Sequence, residues 1–221
     1  MQDSVKAVIF DMDGVIIDSE PLWRRAMIKG FKQFGMPVSE DECRQTMGRR
    51  INEVVDYWLS YHTVTKYSGA QVELAIMDNL LELIETEGKA ITGVLDLFAF
   101  CKEKKLKIGL ATSSSERLMN AVLQKLQLQD IFGSAVSAEH LKYGKPHPEV
   151  FLICADNIGV SPEQCVVIED SVTGAIAAKA ARMQLVVVPD EGTKYQEKFA
   201  IADHTLPNMK EVLTLFKTLV K

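Results

Sequence analysis

The sequence predicts an α/β fold, a parallel sheet core with a small helical domain inserted after the first strand. Two observations predict it. Short apolar runs alternate with stretches of helical periodicity, the pattern of βα units on a parallel sheet. The first two runs, however, stand nearly a hundred residues apart, far too long for one crossover connection. That interval carries helical spacing of its own and reads as an insert.

In chain order, Lys6–Phe10 opens the sheet, since Ala7 to Phe10 are all apolar and read as a strand covered on both faces. Pro21–Gln33 and Ile51–Leu59 read as helices, and Val72, Ile76, Met77, Leu80, Leu81 and Ile84 recur at helical spacing. Residues 17–88 therefore form the inserted helical domain, and residues 1–16 with 89–221 form the core. Tyr57, Trp58 and Tyr61 supply the insert's own interior and rim. Strands resume at Lys107–Ala111, Ser134–Ser137, Cys165–Ile168 and Gln184–Val188. Gly174, Ala175, Ala177, Ala178 and Ala180 let the helix that carries them approach the sheet closely. Met209–Lys221 reads as an amphipathic helix on the core.

Composition excludes several classes. The 221 residues are 47% hydrophobic, with a net charge of -5. The acids and bases are interleaved, so there is no basic stripe of the kind nucleic-acid binding needs. No apolar run reaches membrane-spanning length, and the N-terminus lacks a signal-peptide layout. The four cysteines are scattered without a CxxC pair and the four histidines are dispersed. Reduced, mostly buried thiols in a cytoplasmic protein are expected, with no zinc site.

Four polar clusters carry the functional reading. Asp11 and Asp13 follow the first strand; Thr112, Ser113, Ser114 and Ser115 follow the second; Glu169, Asp170 and Ser171 follow the strand CVVI. All three sit where ligands bind an open parallel sheet, beyond the carboxyl ends of its strands. The fourth cluster is Lys145, in the stiff loop Tyr143-Gly144-Lys145-Pro146-His147-Pro148. Each has a purely structural reading. Asp13-Gly14 is a common turn pair, Glu169 or Asp170 suits a helix N-cap or a surface acid, Ser113 with Glu116 fits a capping box, and a lone lysine is usually solvated. Taken together they favour a site. Asp11 and Asp13 point to one side of an extended strand. Four acids at one mouth repel unless a cation sits among them, and oxygen ligands without paired cysteines suit Mg2+. Hydroxyls and free N–H groups at a helix start suit phosphate, as does an inward lysine. The residues alone do not choose nucleophile from metal ligand.

DMDGVIIDSE, Thr112, GKPHP and VIEDSVTG, in this order and over the whole chain, resemble the four motifs of the haloacid dehalogenase superfamily. Within it the closest likeness is to the sugar-phosphate branch of β-phosphoglucomutase and the hexose and hexitol phosphate phosphatases. The resemblance implies a Rossmann-like core with a helical cap and a Mg2+-dependent hydrolase for a small phosphorylated metabolite. It implies Asp11 as nucleophile and Asp13 as general acid and base. It places Mg2+ on Asp11, Asp13 (through its backbone carbonyl) and Asp170, with Glu169 in support. Thr112, Ser113, Ser114 and Lys145 would bind the phosphoryl group. A monomer is the default expectation.

One departure separates phosphatase from mutase. The mutases carry a histidine shortly after the first motif, where this chain has Trp23, and an arginine after the cap glycine, where Ile51 stands. DSEPLW and MGRRINEVVDYW look most like the phosphatases. Hydrolysis is therefore expected, of a hexose or hexitol 6-phosphate, with Trp23 and Arg50 contacting the sugar. A phosphosugar mutase is the alternative. A non-catalytic relative is disfavoured because every position of the four motifs holds a competent residue.

Overall fold

The computed structural model describes residues 5–46, 49–189 and 196–220. Six parallel strands form one sheet in the order β3-β2-β1-β4-β5-β6. They are β1 (Ala7–Phe10), β2 (Lys107–Thr112), β3 (Ser134–Ser137), β4 (Cys165–Glu169), β5 (Gln184–Val187) and β6 (His204–Thr205). The first five follow the apolar runs to within a residue or so. The sixth escapes sequence reading because it is two exposed residues without an apolar pattern.

Side chains alternate across the pleat and divide the core into two layers. Val8 and Phe10 join one cluster with Ile108, Leu110, Val166 and Ile168. Ala7 and Ile9 join the other with Ala111, Cys165, Val167 and Leu185. The first layer is covered by α5 (Val94–Glu103), α6 (Glu116–Leu126) and α9 (Met209–Leu219). The second is covered by α7 (Glu149–Ile158) and α8 (Val172–Ala180). Strands buried on both faces need continuous apolar sequence, which is why AVIF and CVVI are unbroken. All four cysteines are buried and unpaired.

Between β1 and α5 lie α1 (Glu20–Gln33), α2 (Glu40–Arg44), α3 (Ile51–Tyr61) and α4 (Gly69–Glu87). Reciprocal capping boxes start α2 at Ser39 with Glu42 and α4 at Ser68 with Gln71. The short α2 was not expected, although its S-x-x-E signal is in the sequence. Trp58 is buried, while Tyr57 and Tyr61 form an exposed rim. The chain enters and leaves these helices side by side. The amide of Asp18 donates to Lys89 O at 3.0 Å and that of Ile91 to Ile16 O at 2.9 Å. The long excursion therefore closes on itself without parting β1 from β2.

Chain order places β2 and β3 on one side of β1 and β4 to β6 on the other. The switch point lies between β1 and β4, where such sheets open a crevice. In register, Phe10 stands level with both Leu110 and Ile168. The residues that follow, Asp11, Thr112 and Glu169 with Asp170, emerge together. Among the described residues no helix is long and apolar enough to cross a membrane.

Candidate active site

Asp11 is the first residue past β1 and is buried. Its Oδ1 accepts a hydrogen bond from Lys145 Nζ at 2.6 Å. Lys145 comes from the loop before α7 and is also buried. Its ammonium donates further to Glu169 Oε1 at 2.7 Å and to Ala111 O at 3.1 Å. Three acceptors match its three protons. A residue that is usually solvated is thus the counter-charge of an acidic cluster.

Glu169 is fully enclosed. Its Oε2 accepts from the backbone N–H of Asp170 at 2.9 Å and of Ser171 at 2.8 Å, and from the Ser171 hydroxyl at 2.9 Å. With Lys145 on the other oxygen, its acceptor capacity goes to the protein. Neither Glu169 nor Asp170 is a surface acid or a cap: Ser171 caps α8, accepting from Gly174 N. Asp170 is buried, and its Oδ2 has no partner.

Oxygens of Asp11, Glu169 and Asp170 lie within 4.8 Å of one another. Three carboxylates face one ammonium, so the set carries two negative charges when fully ionised. Burial, opposed by the Lys145 charge and aided by Glu169 and Asp13, pushes the Asp11 carboxyl up to about 8. Burial, with the charges of Glu169 and Asp11, raises Asp170 as well. For Lys145 burial pulls downward, but Asp11 and Glu169 outweigh it and hold the ammonium above the ordinary lysine range. A hard divalent cation with an oxygen preference fits this charge deficit and the orphaned Asp170 oxygen.

Gly14 shapes the same spot. Its φ of +74° turns the chain out of β1, and a Cβ there would come 2.1 Å from Asp170 Oδ2. Gly14→Ala is expected to push Asp170 Oδ2 aside and to lower the cluster's affinity for a divalent cation about 10–100-fold, as supporting-residue changes do at metal sites. Isothermal titration with Mg2+ checks this, and unchanged affinity would contradict it.

Asp13 stands two residues from Asp11 at the cavity mouth. It is held by three donors: Ser19 Oγ at 2.6 Å and Trp23 Nε1 at 2.9 Å on Oδ1, and Ser114 Oγ at 2.6 Å on Oδ2. The turn reading accounts for Gly14 but not for this convergence of three donors from the start of α1 and the loop after β2. Trp23 lines the cavity, yet its indole N–H is committed to Asp13.

Thr112 ends β2, and its hydroxyl accepts from Ser114 N at 3.0 Å. The expected Ser113–Glu116 capping box does not form. Ser115 caps α6 instead, accepting from Leu118 N. Ser113 Oγ is left buried without a partner, in the wall of the same cavity.

The opposite wall comes from the segment of α1 to α3 and combines apolar Trp23, Met27, Cys43, Ile51 and Val54 with polar Glu20, Thr46 and Arg49. Arg50, expected at the sugar, is turned away from the cavity. Its guanidinium is taken by Glu53 and by the carbonyls of Ala138 and Leu141. The adjacent Arg49 lines the cavity in its place. Sequence position could not separate two consecutive arginines that leave the chain in different directions. Met47 and Gly48, part of the MGRR stretch, lie outside the described residues. Ser19 gives no sign in the sequence of its bond to Asp13, whereas Ser171, read with Glu169 and Asp170 as one strand-end cluster, does line the cavity.

Comparison with known proteins places these features in context. A profile described as haloacid dehalogenase-like hydrolase matches residues 8–188. Hexitol phosphatase B of Escherichia coli strain K12 is 41% identical over 209 residues, covering 94% of each chain. The phosphorylated carbohydrates phosphatase of Thermotoga maritima is 32% identical, covering 96% of this chain and 99% of its own. In structure, a β-phosphoglucomutase from Clostridium difficile superposes with a TM-score of 0.85 at 25% identity, covering 98% of this chain and 97% of its own.

Proposed function

This chain belongs to the haloacid dehalogenase-like hydrolases, and on that premise we propose that it is a Mg2+-dependent phosphatase of a small sugar phosphate, working through an aspartyl-phosphate on Asp11. Hexose and hexitol 6-phosphates are the substrates we favour, in keeping with the carbohydrate phosphatases it resembles. One observation carries the reading. Two buried polar atoms without partners, Asp170 Oδ2 and Ser113 Oγ, belong to residues lining the cavity that also holds Asp11 and Lys145. A cation would satisfy the first and a hydrogen-bonding ligand the second, as a phosphate beside a metal would supply.

In this reading the Asp11 carboxylate attacks phosphorus and the sugar oxygen leaves. Asp13 gives that oxygen its proton, then takes one from the water that hydrolyses the acyl phosphate. The Thr112 and Ser113 hydroxyls and the Lys145 ammonium stabilise the phosphoryl oxygens as charge moves. Asp11, Asp170 and the Asp13 carbonyl would hold Mg2+, with Glu169 positioning Lys145 and the Asp170 backbone. When bound, the cation screens the repulsion between the anionic attacker and the phosphate. We take residues 17–88 as a lid that closes the opposite wall over the sugar and excludes bulk water.

The test is phosphate release from a panel of sugar phosphates, with Mg2+ and with EDTA. Mg2+-dependent release that favours 6-phosphates is expected. Interconversion of glucose 1-phosphate and 6-phosphate that needs a bisphosphate, without release, would replace the reading with a mutase. No turnover of any member would overturn it.

A further inference from the structure

The displaced Arg50 has a specific seat, and its position suggests a role. It lies at the start of α3, with its side chain largely buried. Nε and Nη2 bond Glu53 Oε1 at 2.8 and 2.5 Å. Nη1 crosses to the sheet domain, donating to Leu141 O at 3.0 Å and Ala138 O at 3.4 Å. The stem lies on Gly144: a Cβ there would stand 2.9 Å from Nε, 3.1 Å from Cδ and 3.2 Å from Cγ. The segment it grips begins where Ala138 N bonds Thr112 O at 2.8 Å. It ends at Lys145, which holds Asp11 and Glu169. Ser19 and Trp23 also cross from the insert to the core, but they reach Asp13 and not the Lys145 loop. Arg117 with Asp78 and Lys125 with Glu85 O join α6 to α4 through exposed side chains.

We propose that Arg50 is a latch that fastens the inserted helices to the loop carrying Lys145, so that closure of the cavity and placement of the lysine are one event. The proposal rests on the reading of residues 17–88 as a lid and of Lys145 as a phosphate-site residue. The physical argument is geometric. Glu53 fixes the orientation of the guanidinium, leaving Nη1 aimed at two carbonyls that precede Lys145 by four and seven residues. A planar fork makes both sets of bonds at once; a lysine ammonium at the same point cannot. When α3 moves away, the carbonyls lose their donor and Gly144 loses its cover, and the lysine loop is freed. When α3 seats, the loop is held and Lys145 is aimed. Arg50 is therefore a positioning residue acting through Lys145, and Gly144 is its matching half.

The test attacks the seat from both sides, with Arg50→Met, Arg50→Lys and Gly144→Ala in the full chain. Amide hydrogen exchange without substrate reads the latch directly. The reporters are the amides of Ala138, Leu141 and His147, which bond Thr112 O, Ala138 O and Gly144 O. Faster exchange at these amides is expected in all three variants, with unchanged protection in β1 and β4. In turnover of the preferred sugar phosphate, kcat is expected to fall about tenfold through misplacement of the lysine. p-Nitrophenyl phosphate, whose leaving group needs little help, is expected to lose less. The Arg50→Met/Gly144→Ala double variant is expected to be no slower than the worse single, because both remove one contact. Unchanged exchange at the three amides, or fully additive losses, would overturn the latch. Wild-type protein that turns over no phosphoester would overturn the proposed function instead, and the exchange measurement would still decide the latch.

Discussion

Asp11→Asn is expected to abolish phosphate release, lowering kcat by roughly 10⁴-fold or more, while the protein stays folded. In the proposed mechanism the amide has no anionic oxygen to attack phosphorus, and losing a nucleophile would remove the chemical step rather than a contributing contact. Stability is expected to respond in the opposite sense from most buried polar changes. In the cation-free protein, burial pushes the Asp11 carboxyl up to about 8, so the native state favours the protonated acid far more than the unfolded chain does. An asparagine is close in shape to that protonated acid, and its carbonyl still accepts from Lys145, which retains Glu169 and Ala111 O. The melting temperature of the EDTA-treated variant is therefore expected within a few degrees of wild type or above it. Circular dichroism melts beside a malachite green phosphate assay check both halves. Turnover within tenfold of wild type would contradict the role of Asp11, whereas a variant that fails to fold would contradict the account of its charge.

The second large effect is the coupling of pH, metal and stability. For Asp11 the folded value, about 8, lies above its ordinary 3.8. Between these values the native state binds more protons than the unfolded chain, so the unfolding free energy falls as pH rises. Asp170 is shifted in the same direction. Lys145, raised by Asp11 and Glu169 against its burial, affects stability only above the ordinary lysine range, where the native state keeps a proton the unfolded chain has lost. The EDTA-treated protein is thus expected to lose stability steadily from about pH 4 to about pH 8. Mg2+ should reverse the trend, because the cation favours the ionised carboxylates that repel one another without it. At a hundredfold excess over the dissociation constant that holds at pH 8, the gain is about 2.7 kcal/mol; at the same Mg2+ concentration it is smaller at pH 5, where protons compete for the carboxylates. Urea melts at pH 5, 6.5 and 8, with Mg2+ and with EDTA, measure this. Parallel curves, with no pH dependence in the Mg2+ increment, would contradict the carboxylate cluster as the metal site.

The features legible in the residues alone are local and repetitive. The unbroken apolar run before Asp11 and the similar run before Glu169 specify strands covered on both faces. Parallel strands of like length place their carboxyl ends together, so the address of the site follows from where each run stops. Helical periodicity from Val72 to Ile84 likewise marks the insert. Which group each charge and hydroxyl meets is set by folding, because those partners come from distant segments. Lys145 reaches Asp11 across 134 positions and Arg50 reaches Leu141 across 91. Neither distance nor direction is encoded in either neighbourhood. Two adjacent arginines are equivalent as sequence, yet one lines the cavity and the other is bound outside it. Ser113 and Ser115 are equally good caps on paper, yet backbone geometry gives the cap to Ser115 and leaves Ser113 to the cavity. A two-residue strand such as His204–Thr205 exists only because β5 offers an open edge beside it. The pattern of burial is written residue by residue, while the pairing of polar atoms is settled only when the chain has closed around them.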